Sequence, residues 1–228
     1  MTSSTPEGSQ PSLARRRRHR RLQLRLKATD RAKDQRVAGR ALDDWLHEVE
    51  QGLPLWGSPV LIDVQPELTA CRGKLLSGET ERGYAVHAAS FIRKRAIVLE
   101  RALLEQRRLV RAILIHELFH FVWVRCANDR RRNYGALLRE EIHKNARGEL
   151  GESSETWKNS WLKPSRRRPA SDEQRWREYV CESFCDAAAW YFSTERQRLP
   201  VTLAQRWQIK RAKWFEEWLD FESNGLRA

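Results

Sequence analysis

Cysteine is scarce in this chain: there are four in 228 residues, at positions 71, 126, 181 and 185, with no C-x-x-C pair among them. That excludes a C-x-x-C redox motif and fits a reducing compartment, so a cytoplasmic location is expected. A membrane-length apolar run is missing from the segment richest in apolar residues. Ala112 to Val124 would rise only about 20 Å as a helix, against a hydrocarbon core of about 30 Å, and Arg111 and Arg125 bound it. No membrane association is expected. The arginines near the N-terminus are not followed by an apolar segment, because Leu22-Gln-Leu-Arg-Leu-Lys27 is broken by charge; neither a secretory nor a twin-arginine signal is predicted. No internal repeat is visible.

Acidic residues are nearly missing from one region. Residues 14–40 sum to +10, while residues 41–228 sum to only +4. The basic excess therefore belongs to an N-terminal arm, and the body of the chain is close to neutral. Residues 1–37 are expected to form a disordered basic arm, since the first thirteen are too polar to build a core. Arg15 to Arg21 is a like-charge block suited to non-specific contact with nucleic acid or another polyanion, or to a solubilising tail. Residues 38–228 are long enough for one domain with a real core. Within it, Gly148 to Asp172 reads as an inserted loop, a lid or substrate wall, with Trp157, Trp161 and a basic cluster at 166–168. Val37 to Val49 predicts an amphipathic helix ended by Gly52 and Pro54, and Ala136 to Lys144 another. A last helix from about Thr202 to Phe221 carries Trp207, Trp214, Trp218 and Phe221 at core-facing intervals.

What is present, and decisive, is the placing of His116, Glu117 and His120. They are the ionisable residues in an otherwise apolar stretch running through Ile113, Leu114, Ile115, Leu118, Phe119, Phe121 and Val122. Polar groups inside a buried helix must be compensated, and a metal ion does so. Residues four apart on a helix stand one above the other, so both imidazoles can hold one cation, with Glu117 one step round facing a water. The bland alternative is a pair of core histidines bonded to backbone or carboxylates. The helix is expected to start near Ala102.

A catalytic zinc takes three protein ligands and leaves a fourth position open. A ligand just beyond this helix would need a turn at Trp123, where glycine is absent, which disfavours Cys126. Farther on, Glu178, Glu182 and Asp186 recur every four residues on one face of a predicted helix, opposite Val180, Phe184 and Ala188. Such stacked carboxylates repel one another and favour a cation beside them, although a solvated acidic stripe is the alternative. Cys181 and Cys185 lie on the same helix, either as core packing or as an accessory metal site.

His116-Glu117-x-x-His120 followed by Glu182-x-x-x-Asp186 resembles the gluzincin zinc metallopeptidases, and Cys185-Asp-Ala-Ala-Ala-Trp-Tyr-Phe192 is similar to the ligand helix of small bacterial ImmA/IrrE-type peptidases. The resemblance covers residues 90–126 and 176–192. It implies a Zn2+ cofactor held by His116, His120 and Glu182, with Asp186 orienting a ligating histidine and Glu178 as the rival third ligand. It also implies an α+β, zincin-like fold in which a small, mostly antiparallel sheet packs on the metal helix and a second ligand helix, followed by an aromatic C-terminal helix.

The activity so implied is hydrolysis of a protein or peptide bond by a metal-activated water, with Glu117 as general base. Tyr179, Tyr134, Tyr191 and His143 are the candidate donors to the oxyanion. Val60 to Val64 and two segments within Tyr84 to Leu99 read as strands, with turns at Ser77-Gly78 and Arg82-Gly83; residues 91–99 are expected to supply an edge for an extended substrate. His87 is expected on a strand face. Two other readings stay open: a basic nucleic-acid-binding protein whose metal is structural or absent, and a peptidase-like regulator that binds zinc without turnover. Oligomeric state is not legible.

Overall fold

The computed structural model describes residues 20–27, 35–37, 39–71, 74–77, 83–163, 169–222 and 225–228. The first thirteen residues, Arg15 to His19, Gly78, Arg82 and the 166–168 cluster lie outside them. The strands are β1 (Leu24–Leu26), β2 (Arg36–Val37), β3 (Arg40–Ala41), β4 (Leu55–Trp56), β5 (Val60–Gln65), β6 (Leu68–Cys71), β7 (Lys74–Ser77), β8 (Tyr84–Ala85), β9 (Ala88–Phe91), β10 (Ala96–Glu100) and β11 (Leu226–Arg227). The helices are α1 (Leu42–Gln51), α2 (Arg107–Arg125), α3 (Asn128–His143), α4 (Glu152–Leu162), α5 (Pro169–Tyr191) and α6 (Gln205–Phe221). The class is α+β.

Alternating burial builds the main sheet. Val60 and Ile62 of β5 and Ile97 and Leu99 of β10 are buried, while Leu61 between the first two is 42% exposed, the period-two pattern of a half-buried strand. Strand order is β1-β5-β10-β9. β1 and β10 both run parallel to β5, and only β9 is antiparallel to its neighbour. The expected mostly antiparallel sheet is therefore corrected to a mixed one. The reason lies in the connections: α1 intervenes between β1 and β5, and a separate antiparallel sheet, β7-β6-β8, between β5 and β10. Such crossovers let both partners of β5 share its direction. The same register corrects the expected substrate edge. β10 lies inside the sheet, and the free edge on that side is β9.

β1 also shortens the expected arm. Leu22 and Leu24 are buried in the core, and Arg21 donates to the Gln51 carbonyl at 2.5 Å. The basic block is thus anchored at its C-terminal end. At the other terminus, β11 pairs with β4, which ties residues 226–227 to the same half of the molecule.

α2 begins later than expected, because a 3-10 turn over Arg101–Glu105 precedes it and Gln106 adopts a non-helical φ of −105° and ψ of 73°. Leu114, Ile115, Leu118, Phe119 and Phe121 of α2 are fully buried; each contributes about 1.5–3 kcal/mol through burial. α2 packs along α5, whose Phe184, Ala187 and Ala188 are likewise fully buried. α6 closes the core with Trp214, Phe215 and Trp218, and the Phe184 and Phe215 rings stack at 5.5 Å. Phe221 ends that aromatic stripe in solvent, 71% exposed, under the Arg130 guanidinium at 4.3 Å. Among the described residues, no helix is long and apolar enough to cross a membrane.

The core also contains charge. Arg211 of α6, fully buried, forms a two-pronged contact with Glu141 at 3.1 and 2.7 Å and binds Glu149 at 2.7 Å and the Ser183 hydroxyl at 3.1 Å. Lys158 of α4 lies 3.0 Å from Glu149. Two cations and two carboxylates thereby neutralise each other, as burial of charge requires.

Candidate metal centre

The packing of α2 against α5 brings His116, His120, Glu182 and Asp186 together. His116 Nδ1 is 2.7 Å from Asp186 Oδ1, which leaves Nε2 to point the other way. There it lies 3.2 Å from His120 Nε2 and 3.2 Å from Glu182 Oε2. His120 Nε2 is 3.8 Å from Glu182 Oε1. A tetrahedral zinc with bonds of about 2.0–2.2 Å needs donors roughly 3.3–3.6 Å apart. The imidazole pair and the His116–Glu182 pair come close to that edge, and His120 faces the other oxygen of the same carboxylate, so the residues present suit such an ion.

Asp186 is itself held in place. Its second oxygen accepts the Ser154 amide at 2.9 Å. Ser154 lies in the first turn of α4, where amides have no partner within the helix and attract negative charge. The segment expected to be an inserted loop is thus largely helical, and its N-terminus caps a carboxylate of the centre. Gly151, just before α4, makes this approach possible. A Cβ there would stand 2.5 Å from both Asp186 oxygens, closer than real Cβ contacts occur.

Protonation follows from the same contacts. Burial works against a charged His116, but the adjacent Asp186, with Glu182 and Glu117, overrides it and holds the imidazole well above its ordinary pKa. Burial likewise opposes a charged Asp186, and His116 with the Ser154 amide keeps its pKa below the usual value. His120 is raised despite burial, through Cys181 and the Glu182 and Glu117 charges and against repulsion from His116. Glu117 is 8% exposed, and its charge reaches both imidazoles.

The structure separates the rival ligands. Among the described residues, the two groupings of His, Cys, Asp and Glu with donor atoms within 4.8 Å of one another are His116–His120–Cys185 and His120–Cys181–Glu182; His120 is common to both, and His116 meets Glu182 at 3.2 Å. Glu178 and Cys126 belong to neither grouping. Burial raises the Cys126 thiol to about 11, where it sits at the end of α2. His87 pairs instead with Glu100 at 2.7 Å.

Two of the expected oxyanion donors are committed elsewhere. Tyr179 is fully buried and donates to Glu149 at 2.6 Å, inside the Arg211 network. Tyr134 is fully buried and donates to the Ser183 carbonyl at 3.0 Å. Tyr191 stacks on Phe215 at 5.4 Å, and His143 is exposed in the last turn of α3. A cavity of about 480 Å³ between α3 and α5 is lined by Trp123, Arg131, Arg139, Trp176 and Arg177 among others; none of the histidines or carboxylates of the centre lines it.

Compared with known protein families, curated proteins and solved structures, the chain matches none. The geometry carries the functional argument by itself.

Cys181 and Cys185, read from the sequence as core packing or an accessory metal site, both face His120. Their sulfurs lie 3.6 and 3.5 Å from His120 Nδ1. The hydrogen bond from Cys185 lowers the Cys181 thiol to about 6 against burial, with help from His120, whereas burial pushes Cys185 up. The available signal was their four-residue spacing on the ligand helix, next to Glu182. Arg211 was missed. It stands four residues after Trp207 and three before Trp214, a charge on an otherwise aromatic face.

Proposed function

We propose that this protein is a zinc-dependent peptidase of the gluzincin kind, close in design to the ImmA/IrrE-type peptidases, acting on a protein or peptide substrate. The observation that carries this reading is the convergence of His116 Nε2, His120 Nε2 and the Glu182 carboxylate, with the outer nitrogen of His116 bound to Asp186. Zinc bound there supplies a Lewis acid and a water acidified toward neutral pH.

The chain's own residues do the rest. Asp186 fixes the His116 tautomer, with hydrogen on Nδ1 and the lone pair on Nε2. The Ser154 amide holds the carboxylate that does so. Glu117, on the turn between the two histidines, accepts a proton from the attacking water and returns it to the departing amine nitrogen. Tyr179 and Tyr134 are set aside as oxyanion donors because their hydroxyls are buried and engaged. The β9 edge offers backbone groups to an extended substrate, replacing the interior β10. The Arg15 to Arg21 block is proposed to contact polyanions, with its C-terminal end fixed on the domain.

Two measurements test this reading: zinc content, and hydrolysis of a peptide library by the wild type and Glu117→Gln. Stoichiometric zinc in both with hydrolysis only in the wild type supports it. Zinc in both with no hydrolysis by either favours a zinc-binding regulator. No zinc in the wild type overturns it.

A further inference from the structure

His120 has two working faces. Its Nε2 looks toward His116 and Glu182, and its Nδ1 looks toward the sulfurs of Cys181 and Cys185 at 3.6 and 3.5 Å. A tetrahedral zinc ion, with metal–nitrogen bonds of about 2.0 Å and metal–sulfur bonds of about 2.3 Å, sets neighbouring N and S donors roughly 3.5 Å apart, and a larger thiophilic ion sets them somewhat farther. Both nitrogen–sulfur separations match that edge. The cysteines, four apart on α5, stand one above the other. Cys185 is fully buried and Cys181 is half-buried, so the pair is enclosed but reachable from one side. One imidazole nitrogen and two thiolates form a soft donor set, unlike the N2O set on the other face.

We propose that His120 Nδ1, Cys181 and Cys185 form a second site, selective for a thiophilic cation such as Cd(II), and that this site and the His116–His120–Glu182 set exclude each other through His120. A neutral imidazole has one N–H and one nitrogen lone pair in the ring plane. An ion on Nε2 sends the hydrogen to Nδ1, toward the sulfurs. An ion on Nδ1 sends it to Nε2, and the first set loses a ligand. Binding of Cd(II) by the two sulfurs as thiolates displaces to solvent whatever protons they still carry and involves no redox change. Occupation of the sulfur face thus withdraws His120 from the proposed catalytic face, and the coupling is reciprocal. The antagonism rests on the peptidase reading, but the sulfur site does not.

The test is a Cd(II) titration of the full chain, followed by ultraviolet thiolate-to-cadmium charge-transfer absorption. The expected result is saturation near one equivalent in the wild type and in His116→Ala. The signal is expected to be weakened in Cys181→Ser and lost in Cys181→Ser/Cys185→Ser, which still binds zinc. Prior loading with zinc is expected to raise the cadmium needed by roughly 5- to 150-fold, the usual span for coupled sites. A signal undiminished in the double variant would overturn the proposal, since Cys71 or Cys126 would then be its source. So would a signal lost in His116→Ala, which would put thiols and histidines around one ion. Failure of the peptidase reading is a different result: no zinc in the wild type, with the cysteine-dependent cadmium signal intact.

Discussion

The Ser154 amide and the Asp186 carboxylate are joined at 2.9 Å, so the first turn of α4 holds the group that in turn holds His116. A segment remote in sequence from both histidines thereby fixes how one of them faces the centre. Gly151→Ala would force Asp186 out of this arrangement. The expected outcome is a 10–100-fold loss of zinc affinity, the usual effect of removing an outer partner of a metal-bound histidine. Competitive zinc titration measures it, and far-ultraviolet circular dichroism shows that the fold persists. Unchanged affinity would remove Asp186 from its positioning role.

Glu117→Gln keeps the shape of the side chain but removes its proton-accepting charge. Hydrolysis should fall by about 10²–10⁴-fold, the range for loss of a general base, with zinc content unchanged. Single-turnover rates on any peptide the wild type cleaves provide the comparison.

Arg211→Met leaves Glu141 and Glu149 buried without their main cation. Removing one partner of a buried ion pair costs about 3–5 kcal/mol, to be read from urea denaturation. A loss well below this range would mean that water or Lys158 takes over from the guanidinium.

The same network predicts an acid limb of stability. Burial raises the Glu149 pKa, but Arg211 outweighs it and the folded-state value is depressed. Its contribution is therefore present above the unfolded pKa of about 4.3 and lost as pH falls through the folded value. Denaturation midpoints of the wild type should drop below about pH 4.3 more steeply than those of Glu149→Gln. Parallel curves would contradict the assignment.

How far the sequence revealed this arrangement depends on the range of the interaction concerned. That His116 and His120 share one helical face, and Glu182 and Asp186 another, was legible from spacing alone, and an apolar surround makes charge on α2 conspicuous. Spacing left Glu178 open beside Glu182 and only the resemblance favoured Glu182; the packing of α5 on α2 brings Glu182 against both histidines. The direction of β1 and β10 was not legible, since a strand's alternating burial is the same whether its neighbour runs parallel or antiparallel. The helix at Glu152–Leu162 was hidden by the flanking glycines, serines and prolines. Tyr179 looked available to a substrate because its partner Glu149 lies thirty residues away, and the Arg211 network has no local signature beyond one charge on an aromatic face.

The most direct test of the central claim is equilibrium zinc binding by the full-length wild type, His116→Ala, Glu182→Ala and Glu178→Ala. The geometry predicts one tightly held zinc in the wild type and in Glu178→Ala, and its loss from the other two. A wild type that binds no zinc, or a Glu182→Ala protein that binds it as tightly as the wild type, would contradict the account.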